Sequence, residues 1–395
     1  MKTALPGPVY ATVSGFCLFA ISICLARFAY GPLVPSLIDM HWVTKAEAGY
    51  LGAFNGLGYI VGCVAALWLP RVTGIRLLMR TSLLLAVIGL GMCFWNFGFA
   101  AATLMVHTTA LVVRSVSAKA KSMCLGFAVS GGGIAIVIIS LVLPFFIVKG
   151  PSGGWFVEAA ITFLVAAVAW RFVSMAPHER EPSPDSIQPL APRRRRLVLL
   201  ITVAYTLMSI AVIPHTLFMA DYMDRDLGLS IGDSSSLFSI LGAGCAVGAI
   251  YIGPLTRLFE TRWSLVINYM MGAAAIAMVL LFDSVIIVAS SSFLIGVSLF
   301  GVVALTSIRT LEIVGLPRHA HFWGFMALGF GAGMAAGSYA MSALLSQGFH
   351  YLDLFQIAEV AVICALITLL FTRWRYRDLE NLTEKDRSQA NHLTV

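Results

Sequence analysis

The feature that most limits how this chain can fold is a succession of long apolar stretches separated by short polar ones. A soluble domain of this length carries about a quarter of its residues as Asp, Glu, Lys and Arg. Here the charged fraction is 11% and the hydrophobic fraction is 59%. Apolar runs of about 18 residues or more predict transmembrane helices, because a helix satisfies its own backbone hydrogen bonds within lipid. The sequence therefore predicts an all-α integral membrane protein.

Twelve apolar segments are long enough to be spans. They cover residues 10–37, 45–69, 75–95, 97–113, 122–148, 155–174, 197–221, 233–254, 264–282, 284–308, 321–346 and 352–374. The long polar stretch between the sixth and seventh segments is rich in Pro, Ser and Arg. We therefore expect two six-helix bundles, 1–174 and 197–374, joined by a cytoplasmic Arg-rich linker at 175–196 and followed by a cytoplasmic polar tail at 375–395.

Basic residues are distributed unevenly over the loops between these spans. With both termini on one side, that side holds 22 of the 26 Lys and Arg residues, the other holds only Lys45, Lys149 and Arg225, and Arg27 falls within a span. Because basic loops stay in the cytoplasm, we expect cytoplasmic termini and a multi-pass protein of the cell inner membrane. This rule, with attraction to lipid headgroups, accounts for the net charge of +7. The charge thus predicts contact with membrane lipids and no nucleic-acid partner.

The two predicted bundles repeat one another. Five positions of the second span and the loop after it recur 186 residues later, and the pairs are Gly56/Gly242, Gly58/Gly244, Gly62/Gly248, Arg71/Arg257 and Arg76/Arg262. A second match joins GFAVSGGG from Gly126 with GFMALGFG from Gly324. Parallel six-helix repeats about an axis along the membrane normal are typical of major facilitator architecture, in which the halves rock about a central cavity.

The glycines of these runs have two interpretations. Small residues at four-residue spacing let helices approach closely in lipid, so we expect helix packing, with helix flexing during transport as the alternative. Gly131 and Gly133 of the fifth span are expected to allow a tight crossing near the cavity. Pro214 is expected to free a backbone carbonyl and to break the seventh span, as happens where transporters bind substrate.

The segment ARFAYGPLVP from Ala26 to Pro35, with AGYLGAFNGLGYIVG in the second span, resembles the YbfB/YjiJ-type branch of the major facilitator superfamily. The resemblance covers the whole chain in span order and is most specific over residues 20–62. It implies a twelve-helix bacterial inner-membrane transporter whose substrate is mostly unassigned. The first, fourth, seventh and tenth helices line the cavity in this fold.

The repeat also indicates a shortened fourth span. From Arg76 to Gly126 there are 50 residues, whereas from Arg262 to Gly324 there are 62. About 17 residues, 97–113, remain for the fourth span, which is the minimum that crosses a hydrocarbon core. The shortening falls on a cavity wall, unless part of the difference is a longer loop after the tenth span.

Ionisable side chains within spans are costly and mark functional sites by default. Arg27, one turn before Tyr30, is expected either to bind an anionic substrate group or a protonatable carboxylate, or to reach the lipid headgroups. His215, directly after Pro214, is either a proton relay or a packing histidine. Asp221 is a candidate for proton coupling. With Asp224 and Asp226 it could also suggest a metal site, but an exposed acidic loop is the favoured interpretation.

Further candidates carry the same alternatives. His107 lies in the shortened fourth span, and Tyr205 in the seventh is a candidate cavity residue. Glu158 and Glu359, on helices that are peripheral by analogy, are expected either to carry coupled protons or to pair at helix interfaces. Asn55 and Tyr59 share one face of the second span at four-residue spacing. They are expected either to line the cavity or to make hydrogen bonds to a neighbouring helix.

The sequence carries no metal-binding or nucleophile–base spacing and no cofactor motif, so we expect no enzyme, cofactor or metal. The predicted function is secondary active transport of a small organic solute by a monomer using alternating access and protons. Arg27 favours an organic anion or amino acid as the substrate. The apolar lining keeps open the efflux of amphipathic drugs, and a transport-impaired membrane protein or a membrane-embedded enzyme is the alternative of another class.

Overall fold

The computed structural model describes residues 8–91, 121–147, 150–173 and 190–372. The predicted fourth span, with His107, lies outside the described residues, as do most of the predicted linker and the polar tail. We use "first half" for the described residues up to 173 and "second half" for those from 190. No strand occurs in the described part of the chain.

The first half consists of helices joined by short turns. They are α1 (Pro8–Phe19), a π-helical segment (Ala20–Leu25), a 3-10 segment (Phe28–Leu33), α2 (Val34–Asp39), α3 (Lys45–Thr73), α4 (Ile75–Gly91), α5 (Lys121–Val142), α6 (Pro144–Ile147) and α7 (Pro151–Val173). The turn before α3 ends in a capping box, in which Thr44 and Glu47 satisfy each other's free backbone N–H groups. Gly74, with φ of 79°, ends α3.

The second half follows the same pattern. Its elements are α8 (Pro192–Ala211), a π-helical segment (Pro214–Phe218), α9 (Met219–Arg225), α10 (Ile231–Ile250), α11 (Ile252–Leu258), α12 (Thr261–Leu281), α13 (Val285–Val314), α14 (Leu316–Ser346) and α15 (Tyr351–Leu370). Among the described residues, nine helical spans are long and apolar enough to cross a membrane, and a tenth is counted if a bent pair in the first span forms one crossing. Large apolar side chains face outward, for example Phe156 at 70% exposure, as expected for a lipid-facing surface.

Two predicted helix boundaries are wrong. The first predicted span, 10–37, is not continuous, because the chain bends by 42° between Leu25 and Phe28. The seventh span starts at Pro192 rather than at 197, so five residues assigned to the linker, Pro192 to Arg196, belong to α8. Proline is favoured at the first helical position, where its missing N–H costs no hydrogen bond.

The predicted break at Pro214 is also not found. Pro214 does not interrupt the seventh span, which widens there into a π-helical segment.

The two halves pack most extensively through two helix pairs, α3 with α14 and α5 with α10. Glycines make these crossings close. A Cβ atom at Gly56 would lie 2.9 Å from the Cα of Ala335, and one at Gly242 would lie 2.7 Å from the backbone nitrogen of Val137. Of the repeated glycines, Gly56 and Gly242 therefore stand where helices of opposite halves touch, whereas Gly244 and Gly248 abut a helix of their own half. The space between the halves holds the site described next.

Candidate functional site

Arg27 lies at the break in the first span, where its backbone leaves helical geometry with φ of −142° and ψ of −60°. The preceding residue is tied to α3, because the side-chain amide of Asn55 donates a hydrogen bond to the carbonyl oxygen of Ala26 at 3.1 Å. Backbone groups at an irregular position within lipid require such partners. Asn55 therefore supports the break, and it also lines the cavity beside it.

Aromatic rings surround the guanidinium of Arg27. Its central carbon lies 4.3 Å from the ring centre of Tyr59, 5.4 Å from that of Phe28 and 5.7 Å from that of Phe330. Contacts of this length are cation–π interactions. No carboxylate of the described residues lies within 4.0 Å of this guanidinium. The rings thus hold a half-buried positive charge whose side-chain donors make no hydrogen bond to another described residue and face the cavity.

A cavity of about 60 Å³ opens beside Arg27, between the two halves. The first half contributes backbone and side-chain atoms of Leu25, Arg27, Tyr30, Asn55, Leu90, Trp155 and Glu158, and the second half contributes Thr216, Leu217, Met334 and Ser338. Its position agrees with the central site expected for two rocking bundles. Its size admits a few heavy atoms, which favours a small solute.

Glu158 is the acidic residue of this cavity. It is the eighth residue of α7, about 10 Å from the start of that helix, and its side chain is 1% exposed. Its Oε2 atom has no hydrogen-bond partner among the described residues. The fold analogy placed this helix at the periphery, away from the cavity, and the structure instead brings Glu158 into the wall that Arg27 lines.

Two tyrosines predicted for the cavity occupy different places. Tyr30 lines the cavity; its ring stacks on Trp155 at 6.3 Å, and its hydroxyl donates to the carbonyl oxygen of Ala48 at 3.0 Å. Tyr205 is fully buried behind Phe330, with their ring centres 4.7 Å apart. Tyr30 is therefore a fixed wall of the cavity, whereas Tyr205 supports one of the rings around Arg27.

His215 is buried within the second half and does not line the cavity. The hydroxyl of Ser291 donates to the carbonyl oxygen of Ala275 at 2.6 Å. Since that hydroxyl has one proton, it accepts from Nε2–H of His215, 2.8 Å away. The imidazole also meets Phe355 edge-on, with 5.1 Å between ring centres. These contacts favour the packing interpretation, while the Nδ1 atom of His215 is buried with no hydrogen-bond partner among the described residues.

Asp221 is fully buried, not part of an exposed acidic loop. Its Oδ1 accepts a hydrogen bond from Nε of Arg225 at 2.9 Å, and its Oδ2 accepts one from the hydroxyl of Tyr351. A second nitrogen of Arg225, Nη2, lies 2.7 Å from Oδ1 of Asp39 in the first half. This ionic group lies outside the cavity, at the end where the first and seventh spans terminate.

The remaining candidates lie away from the cavity. Glu359 is half-buried on α15 and is absent from the cavity wall. Four candidate glycines lie against the backbone of a neighbouring helix, so that an added Cβ atom would clash there. The glycines and the residues they contact are Gly131 with Phe16, Gly133 with Ala246, Gly244 with Phe293 and Gly248 with Val297. Gly58 and Gly62 lie on α3, half-buried and buried.

Sequence reasoning missed several residues of the cavity. Trp155 precedes Glu158 by three positions, and this spacing places both on one face of α7. Glu158 was a sequence candidate, and its three-residue spacing from Trp155 was the signal that could have added Trp155 to the cavity. Ser338 and Met334 share the same kind of relation on α14, at four-residue spacing, but small and apolar residues there look like ordinary packing.

A family model described as "Uncharacterised MFS-type transporter YbfB" matches residues 19–369. The chain belongs to this family. It is therefore a multi-pass membrane transporter of the major facilitator superfamily rather than an enzyme, and the predicted resemblance is confirmed. No curated protein matches.

Two solved transporters share the fold of this YbfB-type chain. A bacterial homologue of the iron transporter ferroportin, in an outward-facing state with soaked iron, is 13% identical with a TM-score of 0.67, covering 94% of this chain and 100% of its own. A mutant of the nucleoside transporter NupG is 11% identical with a TM-score of 0.64, covering 92% and 100%. At these identities the likeness shows the fold alone, and it confirms the predicted major facilitator architecture.

Proposed function

We propose that this transporter moves a small organic anion, bound at Arg27, together with a proton. The single observation that carries the proposal is the guanidinium of Arg27, held by aromatic rings in a cavity between the halves. A guanidinium binds a carboxylate through two parallel hydrogen bonds. A monocarboxylate, including that of a small amino acid, matches both this geometry and the size of the cavity.

Charge balance supports proton coupling through Glu158. Arg27 and Glu158 line the same cavity, and unbalanced charge is costly in a low-dielectric interior. The empty cavity is neutral when the Glu158 carboxylate is ionised. A bound anion adds one negative charge, which a proton on a Glu158 oxygen neutralises. We therefore propose one proton carried with each monovalent anion.

The membrane arrangement completes the proposal. The excess of basic residues on one side supports an inner-membrane protein with cytoplasmic termini. The paired six-helix halves support alternating access by a monomer in contact with membrane lipids. The volume of the cavity favours a small anion over amphipathic drugs.

Proteoliposomes with an imposed pH gradient test this function. A thermal-shift screen against metabolite and drug panels first identifies a ligand, which is then used for uptake. Arg27→Ala is expected to abolish binding and uptake, and Arg27→Lys to retain weak binding, because a single ammonium cannot make the paired contact. Unchanged binding and uptake by a normally inserted Arg27→Ala protein would show the proposal to be wrong.

Glu158→Gln tests the proton step separately. This variant is expected to lose accumulation driven by the pH gradient while it still exchanges labelled for unlabelled anion. Glu359→Gln is the matched control, because Glu359 is a span carboxylate outside the cavity wall, and it is expected to behave like the unmodified protein. If accumulation survives in Glu158→Gln, the proton travels elsewhere.

A further inference from the structure

Asp39 and Arg225 occupy equivalent positions in the two halves. Asp39 ends α2 and Arg225 ends α9. They are 186 residues apart, which is the spacing that relates the glycines and arginines of the repeat. Where two halves are related by a two-fold axis, residues that contact their own counterparts lie next to that axis. The pairing of Asp39 with Arg225 therefore marks the axis at one face of the bundle, called here the Asp39 face.

The Asp39–Arg225 ion pair is the solvent-exposed part of a larger ionic group. Arg225 is held in its own half by the fully buried Asp221, which Tyr351 also contacts. The side chain of Asp39 is 41% exposed and that of Arg225 is 25% exposed. If the halves separate, Asp39 returns to water while Arg225 keeps Asp221 as its partner. The contact can thus break without leaving a buried charge unpaired, which is the costly outcome.

The backbones of the two halves are close just below this pair. A Cβ atom at Gly31 would lie 2.6 Å from the carbonyl oxygen of Thr216. The hydroxyl of Ser235 donates to the carbonyl oxygen of Pro32 at 2.8 Å. The first span therefore contacts the seventh span at Gly31 and the eighth span at Pro32, in the stretch of chain between the cavity residue Tyr30 and Asp39. Alternating access requires these contacts to open in part of the cycle.

We infer that Asp39 and Arg225 are a gating pair that holds the Asp39 face closed and releases it for exchange of solute. The distribution of basic residues predicts that this face is the outer one. The pair acts through the equilibrium between closed and open halves and does not touch the solute. The inference is independent of the proposed substrate, because it concerns a contact outside the cavity.

Accessibility of a cavity cysteine tests the gate. In a cysteine-free background, Ser338→Cys places a thiol in the cavity wall. A cysteine at exposed Gln347, in the turn between α14 and α15, first reports on which side of the membrane the Asp39 face lies. A membrane-impermeant maleimide is then applied from that side, and the labelling rate at position 338 is measured.

Asp39→Asn is expected to raise this labelling rate about two- to fivefold, the range for a partly exposed ion pair. Asp226→Asn is the matched control, because Asp226 is an exposed acid one residue beyond Arg225, and it is expected to leave the rate unchanged. Equal rates in Asp39→Asn and the unmodified protein would overturn the inference. A rise shared with Asp226→Asn would also overturn it, since loosening of the loop then explains the effect.

Cross-linking provides a second measurement. Asp39→Cys and Arg225→Cys together, joined by a short bifunctional thiol reagent, are expected to suppress labelling at position 338 from that side and to stop solute exchange. Reduction of the cross-link is expected to restore both. Continued labelling and exchange in the cross-linked protein would contradict a gate at this position.

Discussion

The guanidinium carbon of Arg27 lies 4.3 Å from the ring centre of Tyr59. These residues come from the first and second spans, and the contact fixes where the positive charge faces the cavity. A cation over an aromatic face is stabilised by about 0.5–2 kcal/mol, depending on burial. The ring leaves the edge of the guanidinium free for hydrogen bonds, so it positions Arg27 without competing with an anion.

Replacement of the Tyr59 ring is therefore expected to weaken anion binding. We predict that Tyr59→Leu raises the dissociation constant about 2- to 30-fold, since loss of the ring contact frees Arg27 to adopt other rotamers. Tyr59→Phe keeps the ring and is expected to stay close to the unmodified protein. Isothermal titration calorimetry on purified protein measures both. Equal losses in the two variants would assign the effect to the hydroxyl instead.

The crossing of α5 and α10 depends on the absence of a side chain at Gly242. A Cβ atom there would lie 2.7 Å from the backbone nitrogen of Val137, and backbone cannot move aside cheaply. We predict that Gly242→Ala destabilises the protein by about 1–3 kcal/mol through overpacking and slows transport. Gly253→Ala is the control, because its nearest neighbours are 3.8 Å away. Thermal denaturation in detergent and initial uptake rates measure the two effects.

His215 is predicted to stabilise the second half without carrying protons. Ser291→Ala leaves Nε2–H of His215 buried without its partner, which is expected to cost about 1–3 kcal/mol in unfolding free energy. Ser290→Ala, on the exposed side of the same helix, is expected to cost little. His215→Gln should leave the pH profile of transport unchanged. A shifted profile in His215→Gln would restore the proton-relay interpretation.

The spans were predictable because hydrophobicity is a property of each segment by itself. Eleven of the twelve predicted spans overlap helices among the described residues, of which nine, or ten with the bent first span, are long and apolar enough to cross a membrane. The fourth span stays a prediction. The break at Arg27 was not predictable in the same way, because neither Ala26 nor Arg27 disfavours a helix and the cause lies partly in Asn55 on another helix. Hydropathy carries no information about hydrogen bonds between different helices.

For the ionic residues, too, some contacts could be predicted from the sequence and others could not. Asp221 and Arg225 are four residues apart, a spacing that brings side chains together on one helix and could have indicated an ion pair. The neighbouring acidic residues favoured the interpretation as an exposed loop instead. The 186-residue repeat made Asp39 the counterpart of Arg225, yet contact between counterparts depends on where the axis runs. Glu158 was misplaced because analogy assigned a whole helix to the periphery, whereas its cavity face is a property of this packing.

Tyr351 is predicted to stabilise the closed Asp39 face through Asp221. Its hydroxyl is one of two groups that satisfy this fully buried carboxylate. Tyr351→Phe keeps the ring that Lys45 faces at 5.3 Å and removes only the hydrogen bond. Because a bond to a charged acceptor contributes about 1.5–3 kcal/mol, the unfolding free energy in detergent should fall by that amount. Tyr339→Phe, with 62% of the side chain exposed, is expected to leave stability unchanged. An unchanged stability in Tyr351→Phe would mean that Arg225 alone satisfies Asp221, and the ionic group would then be smaller than the contacts indicate.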